Sequence, residues 1–415
     1  MSLSILQTAG HHSRNQFTGH LTEQDTHHFP VDVSKSKQNR RYQGDKNMRL
    51  TNPSSTVIKH SPRIVLQNEK IIPDSSHRQY KNKLVNTRFY HRASHLQDVC
   101  SKPEVSNITS NKGRELVIAH GQLSLCLVPK TGTTFLRTLD KDRMIFEDDS
   151  YSKKVNTKRA VFTREPYARL FSAYVDKLAS QADWWPGIGK YIKDQFGTNN
   201  SASSGNTDPE CQGHDVSFPE FIKYFISSEE TGIFQDNHFI PVYRLCDVCR
   251  HPFDFLGKTE TMRDDLEFIL NAVNETQLLK SEEGNRSSDE IVIEQEVSNL
   301  GKVLRDSHFP EHCFSLCDLR RRVWWALQRR GILTETLDFP EQEYCEFLTD
   351  NQFLSAVLNV YRRFKGSFDK ANQRRTMMIK SYLQVSLQDR LRLARLLRVD
   401  AQLFGYDPMP RDLFP

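Results

Sequence analysis

Apolar positions along this 415-residue chain fall into short runs bounded by proline, glycine or polar clusters. The run LSLCLV at 123–128 is apolar throughout and stops at Pro129, which predicts a buried strand, with LVIA at 116–119 just before it. KRAVFT at 158–163 predicts a second short strand. Helices are predicted from 134 to about 139, and from Pro166, well placed in a first helical turn, to about 179. Further helical patterns cover 80–100, 218–226, 263–273 and 386–399, and the chain is mostly helical from about 316 onward. Polar loops are expected at 183–214 and 280–290. Strand, loop, helix, strand, helix is the order of an α/β protein: a parallel sheet flanked by helices, with a helix-rich C-terminal part. Residues 1–79 carry only scattered apolar positions and predict a disordered basic arm or stem, leaving 80–415 as the folded domain.

Composition narrows the function. Aromatic residues at 10% and apolar residues at 37% supply a packed core and exclude a wholly disordered chain. The net charge of +5 comes from the first 79 residues, which hold 11 Lys/Arg against 6 Asp/Glu; the remainder is balanced at 46 of each. A balanced body argues against a nucleic-acid-coating protein. No stretch approaches the roughly 18–20 apolar residues of a membrane helix. The opening MSLSILQTAGHHSRNQ lacks the basic region and apolar core of a signal peptide.

Ligands of parallel α/β sheets bind beyond the carboxyl ends of the strands, which singles out two loops. The first is Pro129-Lys130-Thr131-Gly132-Thr133-Thr134, between a strand and a helix start. Helix N-termini attract phosphate or sulfate, Gly132 permits close backbone approach, the three threonines offer hydroxyls, and Lys130 adds a full charge. The order of Lys and Gly does not match the nucleotide-triphosphatase pattern G-x-x-x-x-G-K-[ST], so this is a P-loop-like element of another kind. A plain capped turn would use the same threonines. In the second loop, Arg164 precedes Pro166 and Ser172 follows eight residues on. A guanidinium there can take one phosphate through two hydrogen bonds; the structural alternative is an ion pair and a tight helix contact.

Together, LVPKTGTTFLRTL and VFTREPYARLFSAYVDKL resemble the 5′-phosphosulfate and 3′-phosphate loops of Golgi carbohydrate sulfotransferases, nearest to the chondroitin and dermatan 4-O-sulfotransferase branch. HFIPVYRLCDVC, FDFLGKTETMRDDLEFIL, RFYHRASHLQDVC and the closing FGYDP are similar to other blocks of that family, so the resemblance spans about 80 to 408. The family more often has a Cys and then an Asn or Ser–aromatic step where this chain has Thr133-Thr134-Phe135. The resemblance implies transfer of a sulfuryl group from 3′-phosphoadenosine 5′-phosphosulfate to a sugar hydroxyl, with no metal. It assigns Lys130 to the phosphosulfate and the transition state, Thr131, Gly132, Thr133 and Thr134 to the cradle, Arg137 to a second contact, and Arg164 and Ser172 to the 3′-phosphate. It implies a glycan acceptor, either chondroitin/dermatan-like or an N-glycan. It also implies the Golgi lumen, usually behind a type II membrane anchor that this sequence does not display.

The acceptor hydroxyl needs a proton acceptor. His238 is the first candidate, with Glu260 and His120 behind it; a lone histidine is often structural. Of the eight cysteines, Cys246 and Cys249 form C-x-x-C, and Cys313 and Cys317 form C-x-x-x-C. Lumenal disulfides suit these better than zinc, with Cys126 read as a free buried thiol. Sequons occur at Asn107, Asn199, Asn274 and Asn285. Arginines at 320–322, 329, 330, 362, 363, 374 and 375 are candidates for lining a cleft for an acidic polysaccharide. Two other functions fit the loops: a divergent nucleotide-dependent kinase, and a glycan- or nucleotide-binding protein without turnover.

Overall fold

The computed structural model describes residues 74–106, 115–139, 145–147, 157–180, 185–197, 213–233, 235–250, 253–282, 287–304, 314–341, 345 and 348–415. Five strands form one sheet: β1 (Glu115–Ile118), β2 (Leu123–Cys126), β3 (Ile145–Glu147), β4 (Lys158–Thr163) and β5 (Phe255–Lys258), in the order β3-β1-β2-β4-β5. β2, β4 and β5 run parallel, pairing Leu125 with Ala160 and Phe162 with Gly257. β1 and β3 add on antiparallel at the β2 edge. The all-parallel sheet expected from the sequence is therefore corrected to a mixed one. The turn at 119–122 between β1 and β2 is too short for the crossover that parallel neighbours need, so these strands can only pair as a hairpin.

The helices in chain order are α1 (Asp74–Cys100), α2 (Pro103–Ser106), α3 (Thr133–Leu136), α4 (Pro166–Tyr174), α5 (Lys190–Phe196), α6 (Phe218–Thr231), α7 (Val242–Cys246), α8 (Met262–Ala272), α9 (Gln277–Glu282), α10 (Ser288–Leu304), α11 (Leu316–Arg329), α12 (Asp350–Phe364), α13 (Lys370–Leu383) and α14 (Leu387–Phe404). α1 starts six residues before the expected position. The disordered arm expected over 1–79 otherwise lies outside the described residues.

Strand alternation sets the two faces of the sheet. Leu123, Leu125, Ala160 and Phe162 pack with Val85 and Phe89 of α1, Leu136 of α3 and Leu266, Ile269 and Leu270 of α8. Cys126, Val161 and Leu256 pack on the other side with Leu96, Ile240, Val242, Leu245 and Leu403. β5 was not foreseen because its four residues include Gly257. That glycine is required: a Cβ there would lie 2.4 Å from the Phe162 ring. Beyond the sheet, α4, α6, α13 and α14 share one aromatic-rich core. α10, α11 and α12 share another.

Disulfides join Cys100 to Cys249, Cys126 to Cys246, and Cys317 to Cys345. Cys126 is thus bridged, not a free thiol; the last residue of α7, Cys246, meets the end of β2. The two halves of C-x-x-C reach separate partners, one in α1 and one in β2. Cys211 and Cys313 lie outside the described residues, as do Asn107, Asn199 and Asn285. Asn274 is exposed in a left-handed turn with φ of 57°. No described helix is long and apolar enough to cross a membrane. No group of three or more metal-ligating side chains occurs among the described residues.

Because both sheet-side bridges close loops of more than a hundred residues, the variant Cys100→Ser with Cys249→Ser should lose roughly 2–5 kcal/mol of stability. Urea unfolding measures this; an unchanged midpoint would show that the bridge does not restrain the unfolded chain.

Candidate functional site

β2 delivers the chain to Val128, fully buried, and the backbone then turns sharply. Thr131 closes the turn: its N–H and its hydroxyl both donate to the Val128 carbonyl, at 3.3 and 2.8 Å. The hydroxyl is thereby engaged within the turn. Lys130 takes φ of 70° and Gly132 φ of 84°. A left-handed lysine costs energy and is held only by surroundings that enforce it. At Gly132 a side chain would also meet Met262 Cε at 2.5 Å. The short helix α3 follows, anchored by buried Leu136. Its cap, Gly132, makes no side-chain hydrogen bond. Thr133 is half-buried and Thr134 exposed, both in the first turn of α3, while Arg137 is exposed at its end.

β4 delivers the second loop beside the first. Arg164 Nη1 donates to the Lys130 carbonyl at 3.3 Å, so the two cations expected to share one ligand lie at the same edge of the sheet. Burial lowers the Arg164 guanidinium to about 10, and the like charge of Arg374 adds to this. Glu165 caps α4, accepting from the N–H groups of Tyr167 and Ala168 at 3.2 and 2.6 Å. Burial pushes its carboxyl up to about 6 despite those bonds. Ser172 is half-buried, two turns into α4. A cavity of about 490 Å³ borders this loop through Glu165 and is otherwise lined by Arg375, Met378, Asp407, Pro410, Arg411 and Asp412.

A residue missed in the sequence binds these pieces together. Arg169, buried on α4, donates to the carbonyls of Pro129 at 3.0 Å, Ile240 at 2.8 Å and Asn237 at 3.4 Å. It ties the Lys130 loop to the turn carrying His238. The one available signal was an arginine on the apolar side of an otherwise amphipathic helix. His238 is half-buried, with Nδ1 2.6 Å from Asp236 Oδ1, which also accepts from the His238 N–H. Burial alone would raise the Asp236 carboxyl, but hydrogen bonds from His238 and the charges of His238 and Lys177 hold it below its ordinary value.

The other two base candidates lie elsewhere. His120 sits in the β1–β2 turn, bonded to Glu275 at 2.8 Å. That turn precedes β2, so His120 is at the opposite end of the sheet from Lys130. Glu260 follows β5, accepts from the Glu165 N–H at 3.0 Å and from the Tyr406 hydroxyl at 3.1 Å, and so belongs to the Arg164 side.

Lys130 Nζ is 2.8 Å from Asp176 Oδ2. Burial lowers the ammonium to about 8, against the opposing pull of Asp176. Several of the arginines named as candidates for a cleft have partners within the protein. Arg320 is buried against the Leu348 carbonyl, Arg321 pairs with Asp318, and Arg330 pairs with Asp176 and Glu296. Arg362 pairs with Glu290 and Arg375 with Asp412.

Residues 140–307 match the sulfotransferase family model. The match takes in Arg164, Ser172 and His238 and starts after the Lys130 loop. Carbohydrate sulfotransferase 8 of Mus musculus is 33% identical over 140 residues, 34% of this chain and 31% of the relative. Carbohydrate sulfotransferase 14 of Homo sapiens is 28% identical over 179 residues, 42% of this chain and 43% of the relative. Carbohydrate sulfotransferase 9 of Homo sapiens is 28% identical over 208 residues, 49% and 45%. The chain thus spans less than half the length of these relatives. No solved structure matches.

Replacing Arg169 by Met leaves three carbonyls without their donor and should cost about 3 kcal/mol, read by urea denaturation. A wild-type midpoint would mean that these bonds do not hold the loops together.

Proposed function

We propose that this chain, whose residues 140–307 match the sulfotransferase family model, transfers a sulfuryl group from 3′-phosphoadenosine 5′-phosphosulfate to a sugar hydroxyl of a glycosaminoglycan or glycoprotein glycan. The observation that carries this reading is the hydrogen bond from Arg164 to the Lys130 carbonyl, which sets two cations from separate loops at one sheet edge. A donor with phosphate at both ends needs that arrangement. The relatives named above are carbohydrate sulfotransferases, and neither the kinase nor the non-catalytic alternative draws support from them.

In this reading Lys130 faces the 5′-phosphosulfate, together with the uncapped first turn of α3 at Gly132, Thr133 and Thr134 and, one turn on, Arg137. The backbone of Thr131 shapes that turn. Arg164 and Ser172 hold the 3′-phosphate. The bond that breaks joins sulfur to the phosphate oxygen, and the bond that forms joins sulfur to the acceptor oxygen. Lys130 neutralises charge growing on the departing phosphate, work that is mainly positioning and electrostatic stabilisation. His238, its Nδ1 held by Asp236, takes the acceptor proton at Nε2. None of these steps calls for a metal. Residues 80–415 form the catalytic domain. The 4-O-sulfotransferase branch supplies the acceptor class, chondroitin/dermatan-like or N-glycan, and the bridged cysteines suit the oxidising Golgi lumen.

Transfer of labelled sulfate to a panel of desulfated chondroitin, dermatan, heparan and glycoprotein glycans tests the reading, and labelling of none would overturn it. Lys130→Ala should abolish transfer while the protein stays folded by circular dichroism. Arg164→Ala should weaken adenosine 3′,5′-bisphosphate at least tenfold more than adenosine 5′-monophosphate, about 1.4 kcal/mol by calorimetry; equal losses would remove the 3′-phosphate role. His238→Ala with undiminished turnover at saturating acceptor would move the base elsewhere.

A further inference from the structure

Lys130 does not stand alone at its loop. Asp176 lies just beyond α4, where the helix widens into a π-helical stretch, Val175–Ser180. Such stretches are rare and shift the phase of the residues after them. Here the shift accompanies a carboxylate set between two cations. Its Oδ2 meets Lys130 Nζ at 2.8 Å and its Oδ1 accepts from Arg330 Nη2 at 2.8 Å. Arg330 caps the end of α11 and also donates to Glu296 of α10 at 2.6 Å. Lys130 and Asp176 side chains are each only 14% exposed, and Glu296 is 5% exposed. Four elements therefore contribute one charge each to a closed chain: Lys130, Asp176, Arg330, Glu296.

We infer that Asp176, braced by Arg330 and Glu296, is the positioning residue that aims the Lys130 ammonium and keeps it charged for sulfuryl transfer; this rests on Lys130 being the cation of that reaction. An ammonium has three donors, and Asp176 occupies one, leaving two for the donor's phosphosulfate. The groups facing Lys130 are Asp176, Arg330 and Glu296, with Lys177 3.8 Å from Asp176 Oδ2 and Arg164 on the Lys130 carbonyl. Burial and Arg330 push the ammonium down; Asp176 and Glu296 push it up, and the balance is about 8. Burial would raise the Asp176 carboxyl, but Lys130 and Arg330 outweigh it and hold it well below the carboxylate range. The lysine is charged on the acid side of its midpoint. Activity carried by it is present below about pH 8 and lost above it.

Three variants of the full chain, with transfer kinetics and competitive acetylation of Lys130 across pH, test this. In the wild type, the alkaline limb of kcat/KM and the acetylation midpoint should both fall near pH 8. Asp176→Asn should lower both by about one unit, because an opposite charge at this range is lost. It should lower kcat by about a hundredfold through misplacement of the ammonium. Its preference for adenosine 3′,5′-bisphosphate over adenosine 5′-monophosphate, which Arg164 and Ser172 carry, should be unchanged, which a merely structural lesion would not spare. Asp176→Glu should recover part of kcat. Glu296→Gln, which does not touch Lys130, should move the midpoint the same way by less, and it serves if Asp176→Asn fails to fold. A wild-type kcat in Asp176→Asn, or an unmoved acetylation midpoint in either variant, would overturn the inference. Lys130→Ala separates the two readings: if it retains transfer, the proposed mechanism falls with the inference. If it is inactive while Asp176→Asn is normal, only the role of Asp176 falls.

Discussion

The structure depends on keeping buried positive charge in one place. Lys130 and Arg164 are joined by a hydrogen bond through the Lys130 carbonyl, and burial works against the charge of both. Each cation also feels a like charge from the C-terminal helices, Arg330 at Lys130 and Arg374 at Arg164. They persist because carboxylates stand beside them: Asp176 at Lys130, and at Arg164 its neighbour Glu165 and the more distant Glu260. Much of the architecture can be read as the means of delivering those carboxylates.

The C-terminal helices are part of that delivery. Tyr382 of α13 donates to the Tyr167 carbonyl at 2.9 Å, and Tyr167 donates to the Pro408 carbonyl at 2.6 Å, pinning the start of α4 between α13 and the closing segment. Tyr406, just past the left-handed Gly405 that ends α14, reaches Glu260. At the other end of the fold, Arg92 of α1 bonds Asp265, Thr261 and the Leu256 carbonyl, fixing the segment that carries Glu260. Both ends of the described chain thus set the geometry of a site whose loops lie between them.

The strands at 123–128 and 158–163 were legible because each is a short apolar run closed by a proline or a turn, and so were the two loops that follow them. β5 was not, since a four-residue strand containing Gly257 carries too little pattern. The antiparallel edge was hidden because pairing direction depends on the length of a turn whose ends are not marked. Lys130 and Arg164 could be singled out by residue type and position. Arg169 and Asp176 could not: one looks like any arginine on an amphipathic helix, and the other acquires its place from a π-helical phase shift. The partners of the arginines of α11 to α13 were hidden as well, since a run of charge in sequence does not reveal which carboxylates will answer it.

The two helix starts at the site differ in one respect. At α4, Glu165 folds its own carboxylate over the first N–H groups, so the partial positive end of that helix is already satisfied. At α3, glycine stands in the same position and covers nothing. The first N–H groups of α4 are therefore already taken by a side chain, whereas the cap of α3 has no side chain to offer. In the proposed reading, Arg164 and Ser172 would then hold their phosphate without help from those N–H groups, and the planar fork of the guanidinium would tell a terminal phosphate from a bare hydroxyl by shape as well as by charge.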